Sequence, residues 1–513
     1  MSTSLRPAPR DGLILLLLLT IYFVALMGLR PLSVPDEGRY PEVAREMLLT
    51  HDYVTPRVNG IVFLDKPILY YWLQAASFKV LGVNTWSIRL MPALFGIVGA
   101  LLVFFTAHQL FNRRAAWWSV GALVCNPIYF LAAHYANMDL EIAIWVSAAL
   151  CLFLLARKKP EGTTERRNIF WWAWAAIGCG ILTKGLIGLV FPAMVVGVWV
   201  VIGWRWRELK HWYFVSGLLV MLAICLPWYL AVQHRNPQFF HYFFIYQQFE
   251  RFSSGGFNNV FPFWFYLPVV LLGLIPWALY LPIALYNQWR CAFGKMALAD
   301  AGTRQILLLW PLLIFIFFSI PASKIVGYIL PVIPPLAILI GEYIDRKLTL
   351  AEKTETQRSF FTKILPALPV TGAVIAVALL LIVPRFEPPE GIKPLVSELQ
   401  AQWKAGDEII CYHNYFQDLP VYIQATQPLK VVEDWSNPEI LKDDNWRREF
   451  YFGLQDQPEA KAWLIDESEF SAFLKNHSRV FIFARKKDVK AIEKKYALRA
   501  IGETEKNVLL LKE

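Results

Sequence analysis

Close cysteine pairs, paired histidines and internal repeats are what this sequence does without. Its six cysteines (Cys125, Cys151, Cys179, Cys225, Cys291 and Cys411) include no CxxC, so neither a disulfide framework nor a thiolate zinc site is indicated. Its eight histidines form no HExxH and no close pair, and spacing lends a metal site no support. Charge is scarce: 18% of residues are Asp, Glu, Lys or Arg, against roughly 25% in an ordinary soluble domain. No RNA- or DNA-binding motif appears, so the net charge of +10 is not read as a nucleic-acid surface. Neither a repeat nor a low-complexity tract is visible, although many transporters are built from repeats.

What is there is apolar. The 513 residues are 56% hydrophobic, with a mean hydropathy of +0.41. Aromatics reach 15% and include 21 Trp, which suits rings anchored at membrane interfaces. A helix of about 20 apolar residues crosses the hydrocarbon core. Candidate spans are 13–30, 88–109, 116–133, 139–156, 169–183, 186–203, 213–232, 263–286, 305–320, 325–343 and 364–384. The half-apolar stretch 67–82 suits a helix lying at the interface. The pattern predicts a polytopic α-helical membrane protein with about 11 to 13 crossings. The first run follows Arg6 and Arg10 like a signal peptide, but no small-residue cleavage site follows it. It is expected to be a retained span.

The cations give this topology a direction. Arg113 and Arg114, Arg157 to Lys159 with Arg166 and Arg167, Arg205 with Arg207 and Lys210, Arg290 with Lys295 and Arg304, and Arg346 with Lys347 all fall on alternate loops. Basic clusters collect on the cytoplasmic side. The expectation is a bacterial inner-membrane protein with its N-terminus in the cytoplasm. A membrane domain, 1–384, carries outer loops 31–87 and 233–262, and 385–513 forms a small α/β domain in the periplasm. In that tail EIICYH, VYIQA, KVVED and RVFIFAR read as strands, while PLVSELQAQWKAG and DVKAIEKKYAL read as helices.

Chemistry is expected on the face that basic clusters avoid. Asp36 and Glu37 stand between Pro35 and Arg39; they suit a helix N-terminus, so an amphipathic interfacial helix explains them as well as a reaction centre does. Adjacent carboxylates on a helix point about 100° apart and do not form a dyad. Asp65 and Lys66 precede Pro67; Asp139, with Glu141 close by, opens a span; Lys184, Arg251, Lys324 and Tyr328 lie in other outer turns. Singly, Asp139 could cap its helix, and the lysines could touch lipid headgroups. Jointly, Arg39, Lys66, Lys184, Arg251 and Lys324 on one depleted face, with Asp36 and Asp139, imply an anionic ligand at the outer interface. Phosphate is the natural candidate.

VPDEGRYPEVAREML followed by FLDKPILYYWLQAASFKVLG, and then HYANMDLEIA, LTKGLIGLVFP and SKIVGYILPVIPPLAIL, resemble in order the lipid A aminoarabinose transferases, within the protein-mannosyltransferase-like GT-C glycosyltransferases. The resemblance spans roughly residues 1–345. It implies a donor of 4-amino-4-deoxy-L-arabinose on undecaprenyl phosphate and a lipid A phosphate as acceptor. By the same resemblance Asp36 matches the acid at the reaction centre and Asp139 a second carboxylate that helps hold the amino sugar. Arg39, Lys66 and Arg251 match the carrier-phosphate cations, and Lys324 and Tyr328 an outer-turn motif. Asp65 departs from the family's Glu, which is linked to a bound metal; no cofactor is expected to be required. A related transferase with another sugar or a protein or glycan acceptor stays open, as does a lipid-linked-sugar transporter. Transporters place their charges near the midplane, whereas these sit at loop ends.

Overall fold

The computed structural model describes residues 9–250, 259–294, 300–353, 363–386, 391–441, 445–493 and 496–513. Every predicted apolar run contains helix. Among the described residues six helices have the length and hydropathy to cross a bilayer: Thr85–Leu110, Asp139–Arg157, Phe214–Arg235, Ala301–Ser319, Val326–Glu352 and Ala367–Pro384. The other expected crossings are helical but shorter, broken or interrupted by charge. Pro9–Val24 (α1) has 16 residues, 116–133 divides into the C-terminal part of Arg113–Val124 (α5) and Pro127–Ala132 (α6), and 263–286 divides between Tyr266–Gly273 and Leu281–Phe293.

Amide side chains set the hairpins. Asn84 starts Thr85–Leu110 (α4) by accepting from the amides of Trp86 and Ser87 at 2.9 and 3.0 Å, with Ser87 closing the reciprocal cap. Asn112 and Asn126 do the same for α5 and α6. Each cap satisfies amides that the helix cannot bond itself. Asp139–Arg157 (α7) packs on α4 and on Thr164–Lys184 (α8). Val326–Glu352 is 89% enclosed by protein across its apolar window, against 28% for Phe214–Arg235 (α10) and 22% for Ala367–Pro384. The first therefore forms the centre of the bundle, and the other two offer apolar faces to lipid.

The loop 31–87 folds into Asp36–Thr50 (α2), a hairpin of β1 (Arg57–Val58) and β2 (Ile61–Val62), and Leu69–Leu81 (α3). The α/β domain sits on α2. Its sheet runs β5–β4–β3–β6–β8–β7. Here β3 is Glu408–Tyr412, β4 Lys430–Glu433, β5 Leu464–Asp466, β6 Val480–Arg485, β7 Arg499–Glu503 and β8 Asn507–Lys512. The first four strands are parallel and the β8–β7 edge is antiparallel. One reading is corrected: VYIQA is not a strand. Leu419–Ile423 is a short helix begun by Pro420, whose fixed φ suits a first turn, and it packs on α2. A Cβ at Gly38 would lie 2.6 Å from the Gln417 carbonyl carbon, so only glycine lets α2 come this close to the domain.

Candidate functional site

The site is built on the first turn of α2, and Glu37 holds that turn in place. Glu37 is fully buried. It accepts from Arg30 at 2.6 and 3.0 Å, from Arg89 at 2.9 and 2.8 Å, and from the amides of Ser33 and Ala136 at 2.9 and 3.0 Å. Burial works against its charge, but the two guanidinia prevail and hold the carboxyl down at about 2. Glu37 thereby ties together α2, α4 and the approach to α7. With Glu37 facing inward, Asp36 points elsewhere, as helical spacing predicts.

Asp36 accepts from Arg39 at 3.3 Å and from the Tyr135 hydroxyl at 3.3 Å. Burial pushes its carboxyl above the usual range, Arg39 pulls the other way, and Asp139 adds to the rise. Arg39 reaches across the chain to Glu449 of the α/β domain at 3.2 Å and lies over the rings of Tyr40 and Phe63. Its Nε is buried with no hydrogen-bond partner among the described residues, a donor left open to a further acceptor.

Facing this turn is a second group. Lys184, ending α8, forms an ion pair with Asp139 at the start of α7. The ammonium also lies 4.6 Å from the centre of the Tyr328 ring, a distance suited to cation–π attraction. Asn137 donates to the other Asp139 oxygen at 3.2 Å. A side chain at Gly327 would collide with the Asp139 carboxylate, so glycine there brings Val326–Val332 against α7. Asp139 and Lys184 are both within electrostatic reach of Asp36. Five predicted residues (Asp36, Arg39, Asp139, Lys184 and Tyr328), from four distant stretches, thus meet on one face.

The others are placed less uniformly. Asp65 is buried, accepts from the Tyr242 hydroxyl and lies within electrostatic reach of Arg39. Lys66 bonds the Asp65 carbonyl at 3.2 Å. Among the described residues no group of three or more His, Cys, Asp or Glu could hold a metal. Lys324 is buried, with its ammonium on the carbonyls of Phe261 and Pro321. Arg251 lies outside the described residues. Sequence reasoning missed Arg30, Arg89, Tyr135 and Glu449. Arg89 interrupts an apolar span, which is the signal that could have flagged it; Glu449 carries no such signal.

Residues 13–243 match the family described as dolichyl-phosphate-mannose-protein mannosyltransferase. The undecaprenyl phosphate-alpha-4-amino-4-deoxy-L-arabinose arabinosyl transferase of Edwardsiella ictaluri is 33% identical over 336 residues, 65% of this chain and 59% of that protein. Its counterpart in Aeromonas hydrophila is 34% identical over 324 residues, 62% of this chain and 57% of that one. The chain therefore spans under two thirds of these relatives' length. The crystal structure of ArnT from Cupriavidus metallidurans bound to undecaprenyl phosphate superposes with a TM-score of 0.79 at 25% identity, covering 98% of both chains. An archaeal oligosaccharyltransferase from Archaeoglobus fulgidus shares the fold at a TM-score of 0.55 and 13% identity, over 94% of this chain and 70% of that one.

Proposed function

We propose, from this chain's similarity over residues 13–243 to the dolichyl-phosphate-mannose-protein mannosyltransferase family and to the undecaprenyl phosphate-aminoarabinose arabinosyl transferases, that it transfers 4-amino-4-deoxy-L-arabinose from undecaprenyl phosphate to a lipid A phosphate at the periplasmic face of the inner membrane. One observation carries the reading: the Asp36–Arg39 turn, with a guanidinium N–H unpartnered among the described residues, faces the Asp139–Lys184–Tyr328 group.

The chemistry is one displacement at the anomeric carbon. The bond from that carbon to the carrier phosphate oxygen breaks, and its electron pair stays on the phosphate. Arg39 and Lys66 stabilise the charge gathering there, already oriented before it forms. An oxygen of the acceptor phosphate makes the new bond from the opposite side, so the configuration inverts. The acceptor is already ionised and needs no base, so Asp36 acts as an anion beside the oxocarbenium-like carbon. Asp139 offers the sugar's amine the oxygen that faces Asn137, the other being taken by Lys184.

Mass spectrometry of lipid A from cells with and without the protein tests the transfer. A gain of one aminopentose is expected, and identical spectra would overturn the assignment. A phosphatase fused after Glu513 tests the sidedness: it should be active outside the cytoplasm, and an inactive, stably expressed fusion would reverse the orientation.

A further inference from the structure

We propose that the cleft between the far end of α2 and the α/β domain is a binding site for the sugar rings of a glycolipid head group, separate from the reaction centre. This inference rests on the proposed transfer to a glycolipid acceptor.

The cleft has a volume of about 570 Å³, within the range of small-molecule sites, roughly 300–1,000 Å³. Its wall is one residue set from each domain. Arg45, Glu46 and Leu49 come from α2, Arg57 from the hairpin, and Gln427 and Trp463 from the α/β domain. From residue 36 to residue 46 is ten positions, so the cleft lies about 15 Å along the helix from Asp36. That separation is rigid because α2 is fixed at both ends. Glu37 holds the first turn. At the other end Glu46 accepts the Gly60 amide with both oxygens at 3.1 Å, and Arg45 grips the Ala425 carbonyl.

The lining matches a neutral polyol better than a polyanion. Arg45 is already neutralised by a two-pronged bond to Glu42, at 2.7 and 2.6 Å. Asp52 is paired with Arg235 at 2.7 Å. Burial and the neighbouring Glu42 push the Glu46 carboxyl up, and both its oxygens are turned to the Gly60 amide. The remaining charges, Arg57 and Glu459, are of opposite sign. Sugar rings carry an apolar C–H face and a polar edge. The half-buried Trp463 and the exposed Leu49 can meet the face, and the exposed Gln427 at the rim can meet the edge.

The test uses the full-length protein and de-acylated lipid A, a water-soluble head group without a membrane anchor. Gln427→Trp fills the cleft from an exposed position and leaves the fold alone; Trp463→Ala removes the plate. Both should raise the KM for lipid A about five-fold or more with kcat and undecaprenyl phosphate affinity unchanged. Saturation-transfer NMR should show head-group protons contacting wild-type protein and lose that contact in Gln427→Trp. Unchanged acceptor KM and unchanged contacts in a folded Gln427→Trp would overturn the site. Wild-type transfer without head-group contact would also overturn the site while leaving the transferase reading intact. Head-group contact that Gln427→Trp abolishes, in a protein that transfers nothing, would keep the site and discard the transferase reading.

Discussion

Two buried ion-pair networks, one at each end of the helical bundle, are finished differently, although Arg166, Arg167 and Arg205 at the basic end also keep an Nε unbonded among the described residues. At the end carrying the basic clusters, Arg304 binds Glu342 at 2.9 Å, Gln288 at 2.5 Å and Asp300 at 3.1 Å, while Arg114 and Asn112 converge on Asp345. These groups satisfy one another and latch Leu281–Phe293 and Ala301–Ser319 onto the central helix. At the opposite end, among the described residues, Arg39 keeps an unbonded Nε, and Glu141, Tyr70 and Tyr71 each keep a buried oxygen without a partner. A saturated network fixes geometry, whereas an unsaturated one retains binding energy for a ligand. The contrast recurs between neighbours: Glu37 makes six hydrogen bonds to Arg30, Arg89, Ser33 and Ala136, and Asp36 is held by Arg39 and Tyr135.

The sharpest break in this comparison is between those neighbours. Asp36→Asn should lower transfer by about 10²–10³, the usual loss when a charge aimed at a transition state is removed, with thermal stability unchanged. In wild type, the acid limb of the pH–rate profile should lie above the ordinary carboxylate range, since the Asp36 carboxyl is raised and must be ionised to act. A profile with its limb near 4 would contradict that. Glu37→Gln should do the reverse. It strands Arg30 and Arg89 against a neutral group and should cost about 3–5 kcal/mol of stability, read as loss of monodisperse protein in detergent. If Glu37→Gln keeps its melting temperature and loses only turnover, Glu37 belongs to the chemistry and the contrast fails.

Smaller effects sharpen it. Asp418, beneath α2, accepts the Ile392 amide at 3.1 Å, and burial pushes its carboxyl up to about 6. An acid raised on folding favours the protonated fold, so stability is full below about pH 4 and declines as pH rises to about 6. Asp418→Asn should therefore raise stability at neutral pH by up to about 3 kcal/mol, read as a higher melting temperature, and give no gain at pH 4. Lys66→Ala and Arg39→Ala should each weaken undecaprenyl phosphate binding about tenfold in a titration of purified protein; unchanged affinity in both would remove the phosphate from this face. Least affected should be the triple change Arg304→Met, Glu342→Leu and Gln288→Leu, since Gln288 is buried and bonds both partners. Each single change destabilises, but replacing all three members is close to neutral, and transfer should persist throughout.

The sequence alone was enough to call the apolar helices, the tail's alternation of strands and helices, and five residues (Asp36, Arg39, Asp139, Lys184 and Tyr328) that meet on one face. Hydrophobic runs and caps are local signals, and isolated charges beside such runs are conspicuous. It did not separate the roles of Asp36 and Glu37, because their difference lies in Arg30 and Arg89, brought in from other segments. It misread VYIQA, whose β-type residues are overruled by Pro420 and by packing on α2. Only the tertiary structure brought Asp139, Lys184 and Tyr328 against Asp36, and only it set Glu449 on Arg39 across 410 positions of chain. Contacts between distant segments leave no periodic trace in a chain; they follow from how helices cross and where a glycine permits close approach.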